Sequence, residues 1–191
     1  MFFKVVNVND FSDDEISFAY SQLPISQKIY IDKKTSLNFK QSIVARIIIN
    51  DLLKSHFEVN DGYNLSLDNK NRTHYNNDEF YISISHSGFY VACAVSEKKI
   101  GIDIQVYKNI SDELINKVCT DEEVKFIKST DRKRFFDVWT AKEAFTKYSG
   151  KFLYDIFKIS FVNCNKICLT GKEKFKILQF NTEDYALTIV E

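Results

Sequence analysis

One order of elements occurs twice along this chain, and it limits the fold more than any other feature. A period-two stretch at 2–8, a long helical pattern at 36–55 and alternating segments at 80–95 form the first set. A strand pattern at 99–105, a helical pattern at 132–148 and further alternation through 156–190 form the second. No linker, low-complexity segment or clean repeat lies between them. The order predicts an α+β fold of two similar lobes related by pseudo-two-fold symmetry, each a small, mostly antiparallel sheet packed with a long helix. The expected lobes are 1–97 and 98–191, working as one compact unit. Clefts at such seams are common ligand sites, so the second strand and helix are where function is expected.

That strand, Ile100-Gly101-Ile102-Asp103-Ile104-Gln105, sets Ile102 and Ile104 on one face and Asp103 and Gln105 on the other. In the helix, Phe135, Val138, Trp139, Phe145 and Tyr148 recur at helical spacing, and Trp139, Glu143 and Lys147 line up along one flank. Packed together, the two elements let Asp103 and Glu143 converge. Two carboxylates, the Gln105 amide and two lysines, Lys142 and Lys147, describe a hard-cation site beside a phosphate-binding edge. Each piece also has a plainer reading. Glu143 and Lys147 at this spacing form an ordinary surface pair worth about 0.3–0.5 kcal/mol, and Lys142 beside Glu143 reads as a solvated charge run. Asp103 is harder to dismiss, because a carboxylate inside an apolar strand needs exposure, a partner or a cation.

Ser12 with Glu15 has capping-box spacing for a helix at 12–22, which Pro24 ends, and a polar basic stretch with Lys28, Lys33 and Lys34 follows. Ser36 is the expected cap of the 36–55 helix. Within it, Arg46 reads as a solvated helix arginine on its own spacing. Residues 58–78 suit a loop with one short strand near 63–67, and carry Lys70 and Arg72. Residues 80–84 then lead to a hairpin whose expected turn holds Ser85, His86, Ser87 and Gly88. Turn N–H groups, hydroxyls and an imidazole there make a phosphate cradle, or simply a Ser/Gly turn chosen for its geometry. Nothing around His86 forms a hydrolase triad.

Between 107 and 134 the chain is helical in short pieces, with Thr120 and Glu123 marking one start. Leu114, Ile115 and Val118 form an apolar patch. Arg132, Lys133 and Arg134 form a basic cluster, either a solvated face or a docking site for an acidic partner. Strands are expected at 156–163, 166–170, 173–180 and 184–190.

The 191 residues carry 26 basic and 26 acidic side chains, so no global field favours nucleic acid, and any anion site must be local. No apolar run approaches the roughly 18 residues that span a membrane, and the N-terminus lacks a signal-peptide profile. Cys93, Cys119, Cys164 and Cys168 lack metal-type spacing and read as reduced and structural, in a cytoplasmic protein.

The order Ile84-Ser85-His86-Ser87, then Ile100-Gly101-Ile102-Asp103-Ile104, then Trp139-x-x-Lys142-Glu143-Ala144-x-x-Lys147 resembles the Sfp-type 4′-phosphopantetheinyl transferases. The resemblance runs from about Lys28 to Phe161 and fits the single-chain class. It implies transfer of phosphopantetheine from coenzyme A to a serine of an apo acyl or peptidyl carrier protein, releasing 3′,5′-ADP. It also implies that Asp103 and Glu143 ligate Mg²⁺ (or Mn²⁺) and that Lys147 and Lys142 lie by the pyrophosphate; the attacking serine then needs a base, for which Glu143, or a metal-bound water it orients, is the candidate. Ser85, His86, Arg46 and, more loosely, Lys70 would contact coenzyme A. Gln105 stands where many members carry a third acidic ligand, and its amide oxygen would supply no charge. The expected protein is a monomer with no nucleic-acid or membrane partner. The rival readings are a non-catalytic module binding coenzyme A or a carrier, and a metal-dependent nuclease or phosphatase.

Overall fold

A computed structural model describes residues 1–67, 73–75, 79–163, 166–168 and 175–191. Within them the chain is a mixed α+β fold of small antiparallel sheets and helices, and it divides into two compact units, Met1–Ile100 and Gly101–Glu191.

In the first unit, β1 (Phe2–Asn7), β5 (Tyr90–Ser96) and β4 (Tyr81–Ser87) form an antiparallel sheet in the order β1-β5-β4. A 22-residue helix, α3 (Ser36–Phe57), packs on it. Its Ile43, Val44, Ile48 and Ile49 meet Val91, Cys93 and Val95 of β5 in one core, each large side chain contributing about 1.5–3 kcal/mol by burial. The cap is Thr35 and not Ser36, and its side chain bonds no helix N–H. Helix α1 (Asp13–Gln22) starts at the expected capping box, Ser12 with Glu15. Pro24 does more than end it: it caps α2 (Ile25–Ile31), which the basic composition concealed. Strand β2 (Leu65–Leu67) falls where the one short strand was expected, and it pairs with a second, β3 (Thr73–Tyr75), in the stretch expected to be loop.

The β4–β5 hairpin differs from the expected one. Ser85, His86 and Ser87 do not form the turn; they pair with Ala92, Val91 and Tyr90, so β4 runs to Ser87. The turn is Gly88-Phe89, with Gly88 at φ 56°, a conformation suited to a first turn residue without a Cβ.

The second unit is built on β6 (Gly101–Val106), β10 (Tyr185–Val190) and β9 (Ile177–Gln179), in the order β6-β10-β9. Helix α6 (Arg134–Ser149) lies across β6 and β10. A Cβ at Gly101 would overlap the Ala144 carbonyl oxygen and lie 2.7 Å from the Tyr148 nitrogen, so glycine is what lets α6 come this close. Helices α4 (Asp112–Val118) and α5 (Asp121–Ser129) supply Ile115, Val118, Phe126 and Ile127 to a core with Phe135, Phe136 and Val138. The strand expected at 156–163 is only β7 (Val162–Asn163), preceded by the helix α7 (Leu153–Ile156), and it pairs with β8 (Lys166–Ile167) inside the expected 166–170.

Candidate active site

The second unit brings Asp103, Gln105, Glu143 and Lys147 together. Alternation along β6 buries Ile102 and Ile104 completely and turns Asp103 and Gln105 to the other face. Thr188, opposite Asp103 on β10, bonds Thr140 of α6 at 2.7 Å, so this face is the one α6 covers. Asp103 is only 2% exposed, yet it has a cation: Lys147 Nζ lies 2.8 Å from Oδ1 and also donates to the Ile102 carbonyl at 2.8 Å. The Gln105 amide donates to Oδ2 at 3.4 Å. Burial, and behind it the charge of Asp103, raises the Glu143 carboxyl above its ordinary range, with Lys147 pulling it the other way. Two carboxylates thus share one partly buried spot with the Lys147 ammonium, and the Gln105 amide stands beside them.

Lys142 is a correction. It does not join this cluster, because it sits on the buried side of α6 with no exposed surface. Its ammonium lies 2.7 Å from Glu123 Oε2 and donates to the carbonyls of Val118 (3.1 Å) and Phe157 (3.2 Å). The sequence did hold a signal for this, since Lys142 falls four residues after Val138 and three before Phe145, on the apolar stripe. Glu123, read only as a capping residue, was missed as its partner.

The first-unit residues stand as follows. Arg46 is not solvated; it is 3% exposed, and burial lowers its pKa to about 10. Its guanidinium donates to Gln27 Oε1 (2.6 Å), Thr73 Oγ1 (2.7 Å) and the Ser42 carbonyl (3.2 Å). Among the described residues no carboxylate pairs with it, and the buried Gln27 Nε2 beside it has no partner. Ser85 and His86 do not act as neighbouring turn donors: successive strand residues face opposite sides, with Ser85 buried and His86 exposed. Lys70 lies outside the described residues.

The docking patch shrinks too. Ile115 and Val118 belong to the core, leaving Leu114 exposed, while Arg132 pairs with Asp112 at 3.0 Å and Arg134 with Asp137 at 2.9 Å. Cys93, Cys119 and Cys168 are free thiols, and Cys164 lies outside the described residues.

Residues 99–190, which contain this whole cluster, match the 4′-phosphopantetheinyl transferase superfamily. Similar curated proteins include the 4′-phosphopantetheinyl transferase Sfp of Bacillus subtilis (strain 168), 36% identical over 75 residues, or 37% of this chain and 34% of that protein. Psf-1 of Bacillus pumilus is 36% identical over 76 residues, covering 38% of this chain and 33% of its own. Gsp of Aneurinibacillus migulanus is 31% identical over 80 residues, covering 40% and 34%. The chain spans about a third of the length of the curated relatives it matches.

Proposed function

We propose that this protein transfers the 4′-phosphopantetheine arm of coenzyme A to a serine hydroxyl of an apo carrier protein and releases 3′,5′-ADP, as a holo-carrier-protein synthase. The observation that carries the reading is the paired carboxylate spot of Asp103 and Glu143 with Lys147 at 2.8 Å, inside the segment that matches the transferase superfamily.

Among the described residues no group of three or more His, Cys, Asp and Glu side chains gathers around a metal position. The donors at hand are two carboxylates and one amide oxygen, all hard; burial first, and the Asp103 charge behind it, raise the Glu143 carboxyl, and a divalent cation would offset both. Asp103 and Glu143 would hold Mg²⁺, with Gln105 contributing an uncharged oxygen. When bound, the ion neutralises charge that develops on the leaving phosphate.

The serine Oγ attacks the phosphorus that carries the pantetheine arm, and the bond from that phosphorus to the oxygen bridging the two phosphates breaks. A Glu143 carboxylate oxygen takes the serine proton, a task its raised pKa suits. Lys147 Nζ, already on this edge through Asp103, stabilises the pyrophosphate charge. Lys142 is left out of this chemistry, since its ammonium is buried and has three oxygen partners. Arg46 enters the same reading as a coenzyme A phosphate contact, supported by a buried guanidinium that has no carboxylate partner among the described residues and by an unpartnered amide N–H beside it. His86 enters it on its exposed strand position. Leu114 and Lys133 remain as docking residues for an acidic carrier. No helix among the described residues is long and apolar enough to cross a membrane. The reading carries with it a cytoplasmic activity and a monomeric protein.

The test is intact-mass spectrometry of apo carrier proteins incubated with the protein, coenzyme A and Mg²⁺. The expected result is a gain of one phosphopantetheine arm that Asp103→Ala and Glu143→Ala abolish. No gain across unrelated carriers, with coenzyme A still bound, would replace this reading with a binding module.

A further inference from the structure

We infer that the buried pair Glu123–Lys142 is a positioning device that fixes α6 so that Glu143 and Lys147 meet Asp103. Both side chains have no exposed surface, and their charged atoms lie 2.7 Å apart. Each end is anchored more than once. Glu123 Oε2 also accepts from the Thr120 N–H at 2.7 Å, and Oε1 accepts from the Phe161 N–H at 2.8 Å. Lys142 donates to the last residue of α4, Val118, and to Phe157 just after α7. One residue pair therefore ties the end of α4, the start of α5, the middle of α6 and the backbone at 157 and 161.

Lys142 is next to Glu143 and five residues before Lys147, so anything that sets the rotation of α6 at Lys142 also sets both site residues. An apolar pair of similar volume would fill the space at little cost, and often with a gain in stability. What such a pair cannot supply is direction. An ammonium held by a carboxylate and two carbonyls has one acceptable placement, whereas packed methylenes tolerate small rotations. A rotation that shifts a site group by about 1 Å costs roughly a hundredfold in rate.

The inference rests on the transferase reading for its kinetic arm only. The variants are Lys142→Met, Glu123→Gln and the double variant, the last keeping no lone buried charge should a single variant fail to fold. Three quantities are measured well below the unfolding temperature: transfer kcat, the coenzyme A dissociation constant, and the Mg²⁺ dissociation constant by calorimetric titration. The expected result is a kcat loss of roughly ten- to a hundredfold and weaker Mg²⁺ binding, with any change in coenzyme A affinity equal in the two single variants, because Lys147 shifts with α6 in both. The double variant should be no worse than either single one, because both remove one device. Loss of coenzyme A affinity in Lys142→Met but not in Glu123→Gln overturns the inference and makes Lys142 a phosphate contact. Folded variants with wild-type kcat and Mg²⁺ affinity overturn it as well. If the unaltered protein transfers nothing yet binds Mg²⁺, the transferase reading fails and the Mg²⁺ comparison alone decides the positioning role. An unaltered protein that neither transfers nor binds Mg²⁺ overturns both.

Discussion

Gly101→Ala puts one methyl group where α6 crosses β6. The new Cβ would overlap the Ala144 carbonyl oxygen, and at Tyr148 the helix would have to withdraw by about 0.7 Å to turn a 2.7 Å approach into an ordinary 3.4 Å contact. Both obstacles are helix backbone, which cannot rotate aside as a side chain can. Overpacking of this kind costs about 1–3 kcal/mol, and the rigid obstacle points to the upper half of that range. For a chain of 191 residues that is a fall in Tm of roughly 5–10 °C. Ala144 and Tyr148 flank Lys147 on the helix, so the withdrawal also lengthens the 2.8 Å contact from Lys147 to Asp103. Transfer activity should fall by roughly a hundredfold at a temperature where the variant is still folded. The control is Gly62→Ala, whose Cβ would lie 2.7 Å from Asn50 Cα in the first unit. It should destabilise without a matching loss of kcat. Thermal unfolding followed by Trp139 fluorescence, with transfer assays on both variants, decides the matter. A Gly101→Ala protein that keeps its Tm and its rate refutes the argument that this approach builds the site.

Glu143→Gln should stabilise the protein in chelator at neutral pH. The folded carboxyl keeps its proton to a higher pH than the ordinary 4.5, so this group's contribution is full below 4.5 and declines as pH rises through the folded pKa. The variant lacks that decline; its Tm gain should be present at pH 7 and gone near pH 3.5, and a gain independent of pH would refute the assignment. Gln105→Glu adds charge to the oxygen set, and the Mg²⁺ concentration giving half activity should fall; an unchanged or higher requirement would mean that residue 105 does not face the ion. Arg46→Lys loses the fork that reaches Gln27 and Thr73 together. It should cost about 1–2 kcal/mol and remove most of the Tm rise that coenzyme A gives the unaltered protein, and an undiminished rise would free Arg46 from any ligand role.

How far the sequence carried these conclusions depends on how local each cause is. The capping boxes at Ser12 and Thr120 were legible because three residues complete them. The faces of β6 were legible because alternation is a two-residue rule, and the flank of Trp139, Glu143 and Lys147 because four residues make a turn of helix. Helix α2 was hidden for the opposite reason: Ile25 and Ile29 face solvent, and its buried residues include a glutamine, so no apolar stripe announces it. The hairpin misled because Ser and Gly favour turns locally, while the register with Ala92 and Val91 is fixed by the whole β5 strand.

Glu123 shows where a local rule stops. As the third residue of a capping box it needs one oxygen for the Thr120 N–H, and on an exposed helix end water would serve the rest. Buried, it has acceptor sites that water no longer reaches and a charge that must be compensated, so further donors have to be found in the chain. They come from residues 19 and 38 positions away, Lys142 and Phe161. Glu123 stands three residues before Phe126 and four before Ile127, so the spacing sets it on the covered stripe of α5, yet nothing local names the donors that would meet its charge there. Lys142 has the mirror problem, a charge on an apolar stripe that reads as a solvated run until a carboxylate is found for it. Neither residue explains itself; each accounts for the burial of the other, and together they show why the first lysine of the motif is unavailable to the carboxylate cluster that the second one joins.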